Sequence, residues 1–195
     1  MVAEPHRAPM SVEEYLILDR NSSQTRYEFI DGHAYLLAGG TANHSAIGVN
    51  IISTIHSLLR DGPCRIYNSD LRVRLSETRY VYPDASVSCD PRDRGQVDTI
   101  EYPRLAVEVL SPITEAYDRG RKFGYYRACP TMQEYVIVDT ERQAIEVYRR
   151  ETDTLWTLHP FGTGDEVELA SLGVRFPIDA AYRDIVFPDE DAESS

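Results

Sequence analysis

The stretch Arg104–Asp139, RLAVEVLSPITEAYDRGRKFGYYRACPTMQEYVIVD, reads as strand, break, helix, strand. RLAVEVL is a continuous apolar run with one acid, Glu108, embedded in it, the pattern of a strand buried on both faces. Ser111-Pro-Ile-Thr114 ends that strand and opens a helix expected to run to about Cys129, where Pro130 stops it. EYVIVD is a second buried strand, and QAIEVYRR is its partner across the Thr140-Glu-Arg turn. Buried strands separated by a helix need a sheet with helices packed on it, so the class is mixed α/β.

Outward from this centre the elements keep alternating. Ser11-Val-Glu-Glu14 is a capping box opening a short helix to about Asp19. RYEFIDGHAYLLA is a hairpin turning at Asp31-Gly32. Thr41 caps a longer helix in which Ile47, Ile51, Ile55 and Leu58 recur at helical spacing, and Gly62 ends it. CRIYN, LRVRLS and YVYPDASVSC follow as strand-like pieces, then a polar loop, DPRDRGQVDT, expected to be mobile. Beyond Arg150 the chain reads as peripheral strands to about Val186. The expected organisation is one domain over residues 1–186, with an acidic, disordered tail over 187–195, where four acids meet no base.

With 195 residues the chain is long enough for one well-filled core. A net charge of -12 argues against a large basic surface. No apolar run approaches the ~20 residues of a membrane span, and the N-terminal residues lack a secretory pattern. A cytoplasmic protein without membrane contact is expected. The three cysteines, Cys64, Cys89 and Cys129, are odd in number and far apart. They read as small buried hydrophobes rather than a disulfide framework. His44 and His56 fall on different faces of one helix, so a zinc set is not expected.

Three acids stand in apolar company: Glu28 between Tyr27 and Phe29, Asp84 after Tyr82-Pro83, and Glu108 between Val107 and Val109. A carboxylate there is costly unless paired, neutralised or bound to a cation. Simple alternation along a strand would instead turn Glu108 to water. Lys122 bears on the choice, because it is the only lysine among 20 basic residues. It lies one helical turn after Asp118, on the helix that leaves the Glu108 strand, and can fold back toward that strand's end. An exposed ion pair with Asp118 would contribute only ~0.3–0.5 kcal/mol and would be served equally by arginine. Carboxylates plus a lysine suit phosphodiester hydrolysis. Asp84 and Glu108 would hold Mg²⁺, with Mn²⁺ as a substitute, and Lys122 would orient the attacking water or stabilise charge on the phosphate.

YPD, VEVLSP with Thr114, Asp118 and Lys122 with a nearby tyrosine, and EYVIVD, in that order, resemble the Uma-two family of restriction-endonuclease-like proteins, within the PD-(D/E)XK nuclease superfamily. The likeness runs from SVEEYLILD to about Val186. It implies a restriction-endonuclease-like fold with a central mixed sheet flanked by helices, DNA as substrate, and a homodimer. It places the superfamily aspartate at Asp84, the acidic residue at Glu108 and an additional acid at Glu28. The superfamily pattern has lysine two residues after the acid, where this chain has Leu110; the resemblance implies that Lys122 has taken over from the next helix. His44 and Asp118 are secondary candidates, His44 facing the same cleft and Asp118 orienting Lys122. Tyr125 and Tyr126 read as core.

Two other readings compete. A catalytically idle binding or assembly module suits the acidity but gives no reason for a lone lysine. A carboxylate-pair glycoside hydrolase gives Lys122 no role and ranks last.

Overall fold

The structure, a computed structural model, describes residues 9–187 apart from 23, 38, 97, 112 and 113. Helix α1 (Val12–Asn21) opens with the reciprocal capping box, Ser11 and Glu14 each accepting the other's backbone N–H. Strands β1 (Tyr27–Ile30) and β2 (His33–Leu36) turn at Asp31-Gly32, both at positive φ (48° and 93°), as a two-residue hairpin turn requires. Helix α2 (Ala42–Leu58) starts where the Thr41 hydroxyl accepts the His44 N–H. Then come β3 (Arg65–Asn68), β4 (Arg72–Ser76), β5 (Arg79–Val81), β6 (Ala85–Ser88), β7 (Thr99–Ile100) and β8 (Pro103–Val109). The next helix is not uniform: α3 (Glu115–Tyr117) passes into a π-helical turn (Asp118–Lys122) and then α4 (Phe123–Ala128). Strands β9 (Glu134–Val138), β10 (Ala144–Arg150), β11 (Trp156–Gly162), β12 (Glu166–Leu169) and β13 (Val174–Pro177) complete the order.

The expected central mixed sheet is present, six strands in the order β11-β10-β9-β8-β6-β3. β8 and β9 run parallel, Leu105 opposite Glu134 through Val109 opposite Val138, joined by the α3–α4 crossover. The remaining pairs are antiparallel. A second sheet, β2-β1-β5-β4-β7, lies apart from it. YVYPDASVSC is therefore not one strand. β5 belongs to the second sheet and β6 to the central one, and the chain crosses between them at Tyr82-Pro83-Asp84.

Alternation along β8 sorts its side chains between two cores. Leu105, Val107 and Val109 pack with Ile47, Ile51 and Ile55 of α2, each buried isoleucine worth ~1.5–3 kcal/mol. Ala106 and Leu110 pack with Tyr126 of α4, Tyr135 of β9 and Val73 and Val81 of the second sheet. Glu108 shares the parity of Ala106, so it points at this second core. Alternation does separate it from its valine neighbours, but that face is covered rather than wet.

Two expectations are corrected. Cys64 and Cys89 are joined in a disulfide, while Cys129 is free and buried. The cause is register: Arg65 pairs with Ser88, so the residues just outside that pair face each other across β3 and β6. The polar loop after β6 is also better held than its composition suggests. Asp93 is buried and accepts from the Ser88 hydroxyl and the backbone N–H groups of Glu101 and Tyr102. Among the described residues no helix is long and apolar enough to cross a membrane. Most of the acidic tail, residues 188–195, lies outside the described residues.

Candidate active site

Glu28, Glu108 and Asp118 meet the lysine beside the C-terminal end of β8. Lys122 Nζ stands 2.8 Å from Glu108 Oε1, 3.1 Å from Glu28 Oε1 and 3.9 Å from Asp118 Oδ1. All four side chains are buried, Lys122 at 5% exposure. The bland alternative of an exposed Asp118–Lys122 pair is thereby excluded. The four groups come from three parts of the fold. Glu28 comes from β1, Glu108 from β8, and Asp118 and Lys122 from the two ends of the π-helical turn. One extra residue per turn is what such a π segment inserts, and these segments concentrate at functional sites.

Asp84 sits at the crossing between the sheets, and that crossing is anchored. The Tyr82 hydroxyl donates to Asp19 at 2.5 Å, Asp19 also pairs with buried Arg72, and the Tyr82 N–H donates to Glu28 at 3.3 Å. Asp84 Oδ2 accepts the Val109 N–H at 2.8 Å and faces His44 Nε2 at 3.4 Å. Its side chain is 22% exposed, as is that of His44. Both open into a cleft of ≈ 760 Å³ that Glu108, Asp118 and Lys122 also line. The two primary carboxylates, the lysine and both secondary candidates thus share one cleft; Glu28 stands behind it, in contact with Lys122.

Electrostatics follow from burial and sign. Desolvation pushes the Glu108 carboxyl well above its ordinary range, against the pull of Lys122 and with the help of Asp118 and Asp84. Asp118 is raised for the same leading reason. Burial alone would lower the Lys122 ammonium, but Glu108, Glu28 and Asp118 more than reverse this and hold it charged. The hydrogen bond to Asp84 raises His44 against its own desolvation. Four carboxylates against one ammonium and one imidazole leave the site short of positive charge.

Tyr126, read as core from the sequence, is fully buried, yet its hydroxyl donates to Glu108 Oε1 at 2.6 Å. With Lys122 on the same oxygen, Oε1 is saturated, and Oε2 takes no hydrogen bond among the described residues. The signal was available: Tyr126 follows Lys122 by four residues, so both share a helical face. Tyr125 packs instead against the Arg79 guanidinium, 4.5 Å from the ring centre.

Among the described residues no three His, Cys, Asp or Glu side chains converge as a ready-made cation cage. The donor set still suits a hard divalent ion. Mg²⁺ is held by one or two carboxylates, with water and substrate phosphate filling its shell. Asp84 and Glu108 each have one oxygen without a hydrogen-bond partner among the described residues.

Comparison with known proteins bears on this arrangement. Residues 12–180 match the Uma2 family, described as "Putative restriction endonuclease". The uncharacterized protein slr1290 of Synechocystis sp. (strain ATCC 27184 / PCC 6803 / Kazusa) is 41% identical over 96% of this chain and 100% of its own length. The uncharacterized protein sll1609 of the same strain is 31% identical over 85% of this chain and 95% of its own. Among solved structures, a "putative nuclease belonging to DUF820" from Anabaena variabilis ATCC 29413 superposes with a TM-score of 0.73. It covers 89% of this chain and 97% of that one at 20% identity, a likeness of fold.

Proposed function

The chain belongs to the Uma2 family of restriction-endonuclease-like proteins, and from that premise we propose that it is a divalent-metal-dependent endonuclease hydrolysing the phosphodiester bonds of DNA. One observation supports this reading above the others: the chain's lone lysine is buried between Glu108 and Glu28 in the cleft that holds Asp84. A buried ion cluster of this kind is a poor source of stability, and its chemistry is that of a phosphoryl-transfer site.

In this reading Asp84 and Glu108 would hold Mg²⁺ or Mn²⁺. The cation, when bound, polarises the phosphate and neutralises its charge. Glu108, Glu28 and Asp118 keep Lys122 an ammonium at neutral pH, and its N–H bonds face the charge that develops during attack by water. Tyr126 holds Glu108 Oε1, so that Oε2 is the oxygen presented to the cleft. The Val109 N–H fixes Asp84 in the same way through Oδ2.

The test is incubation of the protein with plasmid DNA and Mg²⁺ or Mn²⁺, beside Asp84→Ala and Lys122→Arg. Nicking or linearisation by the parent and by neither variant supports the proposal. The net charge of -12 favours the second reading, an idle nuclease-fold module. No cleavage, with no metal-dependent rise in melting temperature, would establish that reading instead.

A further inference from the structure

Helix α2 and strand β3 contribute walls to two cavities. Ile52 of α2, Asn68 at the end of β3 and Ser69 after it line the cleft. Farther along the same two elements lies a smaller cavity of ≈ 130 Å³, lined by His56, Leu59, Arg60, Cys64, Arg65 and Ile66. From His44 at the cleft to His56 at this cavity, α2 rises ~18 Å. His56 follows Ile52 by four residues and so continues the helix face that lines the cleft. β3 runs back the other way. Its first residue, Arg65, pairs with Ser88, which pairs with Pro103 at the end of β8 remote from Glu108.

Charge separates the two cavities. The cleft gathers Asp84, Glu108 and Asp118, whereas the smaller cavity is lined by two guanidinium groups, an imidazole and no acid. Asp61, in the turn between α2 and β3, is exposed and does not line it. Arg65 is fixed there, its Nη1 donating to the Gly62 and Cys64 carbonyls at 2.9 and 2.7 Å. Its Nε and Nη2 take no partner among the described residues, and the exposed Arg60 makes neither a hydrogen bond nor an ion pair among them. Arg94 brings a third guanidinium to the same turn, with Nη2 2.9 Å from the Pro63 carbonyl. A chain with 32 acids and 20 bases thus leaves like charges together, which is unfavourable until an anion joins them. The volume equals about four waters at ~30 Å³ each, room for the four oxygens of one phosphate.

We propose that this cavity holds one backbone phosphate of the DNA whose scissile bond lies in the cleft, the strand between them following α2 and β3. The inference rests on the endonuclease reading above and deepens it by naming a second contact and its place on the substrate. At ~3.4 Å per step along one strand, a span of ~18 Å puts the gripped phosphate about five steps from the cut. Guanidinium forks suit phosphate oxygens, and this contact sets the register of the strand without reading its bases.

The experiment is fluorescence anisotropy of a labelled duplex with the full chain in Ca²⁺, over a series of salt concentrations. The proteins are the parent, Arg60→Gln, Arg60→Gln with Arg65→Gln, and Arg127→Gln. Arg127 is exposed on α4, whose Tyr126 packs on the face of the central sheet opposite α2, so it controls for net charge. The double variant is expected to bind about tenfold more weakly at ~100 mM salt, with a salt slope shallower by about one. Arg60→Gln moves both readings part of the way, and Arg127→Gln leaves them at the parent values. Arg60→Gln breaks no contact among the described residues, so it carries the test even if the double variant unfolds. Parent affinity and slope in Arg60→Gln, or an equal loss in Arg127→Gln, overturns the phosphate site. The endonuclease reading then still stands, provided that the parent cleaves DNA. Binding of inorganic phosphate that is lost in Arg60→Gln, with no change in duplex affinity, makes this a free-anion site and overturns the inference as well. No duplex binding by the parent overturns both.

Discussion

At the scale of single residues, Lys122 shows what an ammonium does that a guanidinium cannot. It meets three carboxylates from a compact point charge in a buried space, where a planar fork needs more room and a different geometry. Lys122→Arg is therefore expected to cut cleavage at least ~100-fold and to lower the melting temperature. Lys122→Met, which strands the carboxylates, should cost about 3–5 kcal/mol in urea unfolding at neutral pH. Glu108 supplies the opposite experiment. Its folded-state carboxyl titrates well above the ordinary 4.5, so above that pH the native state holds more protons than the unfolded chain. Its contribution is fully favourable below 4.5 and is lost as pH rises through the raised value. Glu108→Gln in EDTA should gain about 1–2 kcal/mol at pH 8, and the gain should shrink toward pH 4.5; a gain independent of pH would contradict this account. Glu28, Asp84 and Glu108 were legible in the sequence because a charge among apolar neighbours has few inexpensive explanations. Tyr126 was not, because a tyrosine satisfies core packing and hydrogen bonding alike.

At the scale of elements, the sequence conveyed periodicity well and interruptions poorly. Capping residues and the Asp31-Gly32 turn are local signals, and the structure realises them. The π-helical turn has no local signature. Asp118 and Lys122, both buried, stand at its two ends. Deleting Gly120, which is exposed and whose added Cβ would meet nothing within 4 Å, should convert the segment to regular α-helix. Residues after the deletion would rotate by ~100° relative to those before it, carrying Lys122 away from Glu108 or Asp118 away from the cleft. Helical circular dichroism should persist while cleavage disappears; Gly120→Ala, which keeps the residue count, should retain activity. The Cys64–Cys89 bond was illegible for a related reason, since it depends on pairing between strands separated by β4 and β5. It spans 25 residues, for which chain entropy gives about 3.5 kcal/mol. Unfolding by guanidinium with and without reductant should differ by roughly that amount, without loss of metal binding, because the bond lies beside Ser88, which pairs with Pro103 at the end of β8 opposite the site.

At the scale of the molecule, the acidity that speaks against nucleic acid becomes, on the proposed reading, a requirement for a cation. The chain carries -12, and several of its arginines, Arg26 of the cleft lining among them, are already engaged. Arg26 pairs with Asp70, Arg79 with Asp31, and Arg119 with Glu115 and Glu146. Duplex DNA presents one charge per ~1.7 Å, and here it would approach a cleft lined by Asp84, Glu108 and Asp118. Without a divalent ion, that approach is repulsive. Binding itself, and not only cleavage, should therefore depend on metal. Fluorescence anisotropy with a labelled duplex can separate the two, using Ca²⁺, which takes the same oxygen donors but is a weaker Lewis acid than Mg²⁺. Affinity at about 100 mM salt should be at least ~10-fold greater in Ca²⁺ than in EDTA, and Asp84→Ala should remove the difference. Equal affinity in EDTA would mean that DNA engages a surface other than this cleft. The fold would then serve as a binding module, and the buried lysine would be a structural charge rather than part of a reaction.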